Sequence, residues 1–244
     1  MNSTIALLVK VGRSLPVLEF KRNRSVQRFT SNLNLKVQTD VWFKANWEEY
    51  LQAIEHPNCK FSKNYYHNGR MRIEISPVSN PHARDHAIII HAIVLYAGIK
   101  GLDLNGLDNC TYRKTGCNEA QPDASFYIGE AANAIPWEAS IVDLDIYPPP
   151  TLVIEVANTS LADDKGEKRL LYEAIGVSEY WIVDVQNVEV IAFAVENRGS
   201  RRITQSQVLP QLEIALLEEA FRRSRRSNHG KVSAWLLSQW CTGG

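Results

Sequence analysis

The chain lacks an excess of charge of either sign: Lys+Arg and Asp+Glu are both 27 in 244 residues. A protein that coats nucleic acid shows a basic surplus, so that class is disfavoured, whereas an enzyme can gather its cations around one cleft. No CxxC pair occurs among Cys59, Cys110, Cys117 and Cys241, and no His stands at zinc-finger spacing from them. A structural zinc site is thereby disfavoured. Cys110 and Cys117 are close enough for a hairpin disulfide, but MNSTIALLVKVG has neither a basic leader nor a small-residue cleavage site. Free thiols in a reducing, cytoplasmic compartment are the expectation. Long apolar runs are also missing. The segment HAIIIHAIVLYAGI is broken by His and too short to span a bilayer, so no membrane is expected. No helix-turn-helix or zinc-finger reader is recognisable, and no internal repeat.

What is present is an ordinary globular balance, 45% hydrophobic and 22% charged, enough for a packed core in one domain. Residues 1–39 carry Lys10, Arg13, Lys21, Arg22, Arg24, Arg28 and Lys36 with no sustained amphipathic period. They read as a basic, poorly ordered extension, with a nucleic-acid-touching arm as the alternative. Organised sequence spans 40–200. NWEEYLQAIEH predicts a short amphipathic helix, and YYHNGRMRIEISP a hairpin turning at Asn68-Gly69. Pro77 to Pro81 reads as a loop, and from His82 a long buried helix runs to Gly98 or Gly101, with His91 as a satisfied core histidine. Ala124 to Ile128 reads as a strand, 129–150 as a surface loop, and TLVIEV as a central strand buried on both faces. Asp163 to Ile175 is expected as a helix with Leu170, Leu171 and Ile175 inward, ended by Gly176. Two strands joined at Gln186-Asn187 come next. Residues 201–244 form a helical tail packed on or extending the domain, in which QLEIALLEEAFRRS is the final helix and Arg222, Arg223, Arg225 and Arg226 a solvated basic cap. The order predicts an α/β domain with helices on a central mixed sheet.

The chemistry centres on Pro122 to Asp184. Glu155 closes an apolar run, where a buried unpaired carboxylate costs several kcal/mol, on the order of 2 or more. A strand end opening on a cleft, with a bound cation, would offset that cost; a sheet-edge salt bridge is the plain alternative. Asp123 alone is a turn residue after Pro122, but it sits in a comparable place beside another strand. Two such carboxylates can share a Mg²⁺ or Mn²⁺ ion that keeps several waters, one of them a nucleophile. Lys168, on the next helix, can reach a scissile phosphate and stabilise developing charge, or be an ordinary solvated lysine.

The ordered series NGRMRIEISPVSNPH, PDASF, PTLVIEVANTS and DDKGEKRLLYEAIGVSEYWIVD resembles the Uma2 family (DUF820), restriction-endonuclease-like proteins abundant in cyanobacteria. That family resembles the PD-(D/E)xK nuclease superfamily, whose core is a mixed sheet flanked by helices. The resemblance implies a Mg²⁺- or Mn²⁺-dependent endonuclease acting on nucleic acid, DNA foremost, with Asp123 and Glu155 as metal ligands and Lys168 as the catalytic lysine. It departs from the superfamily pattern at Ala157, where the lysine usually stands. It also departs at Tyr65 or Tyr66, where many family members carry an acid. Glu74 is a candidate third carboxylate, with a surface cross-strand role as the alternative, and His82 a candidate phosphate contact, with capping or packing favoured. Tyr172 and Trp181 read as core aromatics. A homodimer would place two sites on two strands. The competing reading is a catalytically inactive nuclease fold serving as a binding or assembly module.

Overall fold

The computed structural model describes residues 38–75 and 78–241. The basic N-terminal segment up to residue 37 and the Ser76-Pro77 step lie outside the described residues. The chain opens with β1 (Phe43–Lys44) and α1 (Trp47–Ile54), followed by the hairpin β2 (Lys63–His67) and β3 (Arg70–Glu74). The long helix α2 (Asn80–Lys100) leads to β4 (Leu104–Asp108), β5 (Tyr112–Lys114), β6 (Asn118–Ala120) and β7 (Ala124–Ile128). After β8 (Val142–Asp143) comes β9 (Leu152–Ala157). A broken helix is next: α3 (Leu161–Asp163), a wider turn over Asp164–Lys168, and α4 (Arg169–Ile175). Then come β10 (Glu179–Asp184), β11 (Glu189–Glu196) and β12 (Gly199–Arg202), and the helices α5 (Ile214–Ser224) and α6 (His229–Cys241).

Among the described residues the strands form two six-stranded mixed sheets. The main sheet runs β12-β11-β10-β9-β7-β4, with β9 and β10 parallel and β7 antiparallel to β9. Every residue of β9 is buried, as its unbroken apolar run requires. Parallel neighbours need a crossover, and α3–α4 supplies it. One face of the sheet (Ile154, Val156, Trp181, Val183) packs on α2, α5 and α6; the other (Val153, Tyr180, Ile182) packs on Leu171 and Tyr172 of α4. Each fully buried side chain of this kind contributes about 1.5–3 kcal/mol. The second sheet runs β1-β3-β2-β6-β5-β8 and brings the β2–β3 hairpin against the main one. This is the expected α/β architecture, with a second sheet in addition.

Several local expectations change. Helix α2 begins at Asn80, capped by Ser79, because Pro81 is tolerated in a first turn whose N–H groups have no intrahelical partner. His91 is exposed, its Nε2 2.8 Å from Ser233 Oγ, and not in the core. Gly166 takes a non-helical backbone and reorients the helix after it, so Leu170 faces out at 45% exposure while Tyr172 faces in. Segment 129–150 is not all loop, since β8 pairs with β5. Helix α5 is not the last: α6 comes after it and buries Val232, Leu236 and Trp240. Arg225 is not a solvated cap either, because its guanidinium grips both oxygens of the buried Asp85 on α2. All four cysteines are free thiols. Among the described residues no helix is long and apolar enough to cross a membrane.

Candidate active site

Register places the first acid beside the second. Strand β7 pairs with β9 so that Ala124 faces Ile154. One residue further along the antiparallel pair, Asp123 comes level with Glu155, and its Oδ2 accepts a hydrogen bond from Val156 N at 2.7 Å. The other oxygen, Oδ1, is paired with the Lys63 ammonium and lies 3.4 Å from His82 Nε2. The Asp123 carbonyl is 2.9 Å from His86 Nε2. Burial pushes the Asp123 carboxyl up, but the hydrogen bond from His82 and the Lys63 charge outweigh it and hold it well below the usual carboxylate range.

Glu155 has the opposite environment. It is 2% exposed, and Oε1 accepts from Tyr172 Oη at 2.7 Å, while Tyr65 Oη lies 3.3 Å away and donates at 2.8 Å to the Gln121 carbonyl. Its Oε2 lies 3.5 Å from Lys168 Nζ. Burial lifts this carboxyl; the Lys168 charge opposes the rise, and Asp123 and Asp164 add to it. Lys168 is equally buried, 3.0 Å from Asp164 Oδ1 and 3.1 Å from Glu74 Oε1, with its ammonium 4.3 Å from the centre of the Tyr65 ring. Burial alone would lower its pKa, yet Asp164, Glu155 and Glu74 together hold it well above the ordinary lysine value. Lys168 is therefore held in its charged form by three carboxylates.

The hairpin completes the walls. Lys63 pairs across β2–β3 with Glu74, and Tyr65 with Arg72, so all four share one face. Arg72 Nε binds Glu74 Oε1 at 2.7 Å and its Nη1 lies 3.1 Å from Asp163 Oδ2. Glu74 is thus a cleft residue and not a surface cross-strand partner, and its carboxyl is lowered: burial raises it, and Lys168 and Arg72 outweigh burial. His82 points its ring at Asp123, while Ser79 does the capping. Asp123, Glu155, Lys168, Glu74 and His82 all line a single cleft of about 520 Å³.

Sequence reasoning missed Lys63, Arg72 and Asp164. The signals were present: period-two alternation puts Lys63 on the face of Tyr65, and Asp164 stands four residues before Lys168 on a helical segment. Tyr65, where a family acid was expected, offers Glu155 a hydroxyl and not another carboxylate. Ala157 points to the same face of β9 as Glu155 and is buried, and Lys168 brings a cation to that face from the crossover instead. Trp181 is fully buried, its indole donating to Glu179 Oε2, while Tyr172 joins the core to the site through Glu155.

Among the described residues no group of three or more His, Cys, Asp or Glu is disposed to hold a metal. The hard oxygens of Asp123 and Glu155 nevertheless suit Mg²⁺, which binds through one or two carboxylates and keeps much of its water. The Lys63 ammonium on Asp123 Oδ1 marks that oxygen as a cation position.

A family model, Uma2, described as "Putative restriction endonuclease", matches residues 47–233. A solved structure from Anabaena variabilis ATCC 29413, titled a putative nuclease belonging to DUF820, is similar at 16% identity and a TM-score of 0.49. The similarity covers 79% of this chain and 99% of that one. No curated protein matches.

Proposed function

Because this chain belongs to the Uma2 family, we propose that its cleft hydrolyses phosphodiester bonds of nucleic acid, DNA foremost, as a Mg²⁺- or Mn²⁺-dependent endonuclease. One observation carries the reading: Asp123, Glu155 and Lys168, from three different elements, line the same cleft. Asp123 and Glu155 would hold the ion, which supplies charge neutralisation and a nucleophilic water. Val156 N holds one oxygen of Asp123, and Tyr172 holds one oxygen of Glu155. Lys168 keeps its proton and stabilises the charge that grows on the phosphoryl oxygens. Lys63 and His82, which face Asp123, would take non-bridging phosphate oxygens.

A second reading has an observation of its own. Lys63 is paired with Asp123, and Lys168 lies among Glu74, Glu155 and Asp164, so both lysines of the cleft are already engaged by the protein's own acids. Such a site suits a non-catalytic binding or assembly module. Incubation of purified protein with plasmid and Mg²⁺ or Mn²⁺ separates the two. The nuclease reading expects nicking or linearisation that Asp123→Ala abolishes; no cleavage selects the module, and cleavage that survives the substitution overturns the assignment to this cleft.

A further inference from the structure

The C-terminal helices hold a feature that the cleft does not use. A groove of about 690 Å³ lies between α5 and α6, lined by Arg222, Arg223, Arg225, Arg226 and Lys231 with Trp235 as its apolar wall. The acids facing it are few, and each has a partner. Glu219 binds Arg222 and Arg223, Glu218 lies 3.9 Å from Arg222, and Asp85 takes Arg225. Arg223 also lies 4.3 Å over the Trp235 ring, which fixes its direction. Among the described residues Arg226 and Lys231 have no carboxylate partner. Two cations therefore remain uncompensated in one groove of a chain whose net charge is zero.

The position of the groove gives it a partner. Parallel β9 and β10 end level with each other, Ala157 beside Asp184. Asn158, next after β9, lines the cleft. Val188, in the turn after β10, lines the groove. Between them Gln186 Nε2 donates to the Asn158 carbonyl at 2.6 Å, so the two walls are bonded together. The first turns of α2 join them a second time. His82 faces Asp123 in the cleft, while Arg84 donates to the Ser224 carbonyl and Asp85 anchors Arg225. Cleft and groove thus open at the same end of the main sheet.

We propose that the α5–α6 groove binds the phosphate backbone of the nucleic acid whose scissile bond occupies the cleft, with Arg226 and Lys231 as its phosphate contacts. The inference rests on the nuclease reading for the identity of the polyanion, but not for the existence of the site. Contacts of this kind set register and affinity without reading sequence, in keeping with the lack of a recognisable reader motif.

The test is fluorescence anisotropy of labelled duplex DNA, single-stranded DNA and duplex RNA with the full chain, without divalent ions, across a salt series. Native protein should bind at least one of these polymers. Arg226→Gln with Lys231→Gln should weaken binding about tenfold and lower the salt slope by about 2, near 0.9 per lost contact. Arg226→Lys with Lys231→Arg should restore it, and an unchanged melting curve excludes misfolding. Absent native binding, binding indifferent to the double substitution, or a preference for vesicles of phosphatidylserine in phosphatidylcholine overturns the groove. None of these outcomes touches cleavage by the cleft. Groove-dependent binding without any cleavage would instead overturn the nuclease reading alone.

Discussion

Two buried carboxyls level with each other on neighbouring strands are driven in opposite directions by their neighbours. Asp123 is surrounded by donors and a cation, Glu155 by two tyrosines and low-dielectric core. The pH consequence comes from the first. Asp123 is held well below its unfolded value of roughly 3.9, so as pH falls through that value the unfolded chain takes the proton first. The stability it contributes is complete above the unfolded value and lost as pH falls toward the folded one. Urea unfolding of the metal-free protein should show native and Asp123→Asn furthest apart at neutral pH and converging below about pH 4. A gap that stays constant with pH would remove Asp123 from the acid limb. Lys168 makes a second prediction. Replacing it by Met leaves Glu155, Asp164 and Glu74 facing one another without their cation, a loss of about 3–5 kcal/mol for a broken buried pair. Adding Glu155→Gln should return part of that loss, since the two side chains interact directly and their effects are not additive. Strict additivity in the double-mutant cycle would contradict the contact.

At the scale of elements, what the sequence announces depends on how local its cause is. The β2–β3 hairpin is legible from Asn68-Gly69, both at positive φ, and β9 from an apolar run that only a doubly covered strand accepts. Asp123 and Glu155 stand out because each is a charged residue beside an apolar run, whereas Lys168, on a polar helix, is singled out by the family resemblance. Lys63 does not stand out, because its meaning comes from Asp123, 60 residues away. Strands β6 and β8, three and two residues long, are too short to show a period, and their pairing partners decide them. Helix α6 escapes notice because Gly230, Ser233 and Ser238 interrupt its apolar residues. One helix end tests the local rule directly. Gly176 closes α4 at φ 87°, and a methyl group at its Cα would have no neighbour within 4 Å, so an alanine there meets no clash and suffers only the left-handed backbone cost. Gly176→Ala should therefore lower stability by about 1–2 kcal/mol in chemical denaturation, and no loss would show that the turn relaxes to another conformation.

For the molecule as a whole, the described residues form a single compact unit in which the C-terminal helices and the end that carries the cleft share one element, α2. Its N-terminal turns carry His82 and His86 to Asp123. Its middle and C-terminal turns belong to the core that Leu217, Phe221, Leu236 and Trp240 help build, and Tyr96 meets Trp240 edge-on at 5.1 Å. Two neighbouring leucines on α6 make this coupling measurable. Leu236 is fully buried, whereas Leu237 is 40% exposed. Leu236→Ala should cost about 2–5 kcal/mol, transfer and cavity terms together, while Leu237→Ala should stay within about 0.5 kcal/mol. Hydrogen exchange then distinguishes an integral helix from an appended one. If α6 folds with the domain, Leu236→Ala should lower protection in peptides of β9 and β10 along with those of α6. Lost protection confined to α6 would make it a separately opening unit, and the groove beside it would then open and close without disturbing the cleft.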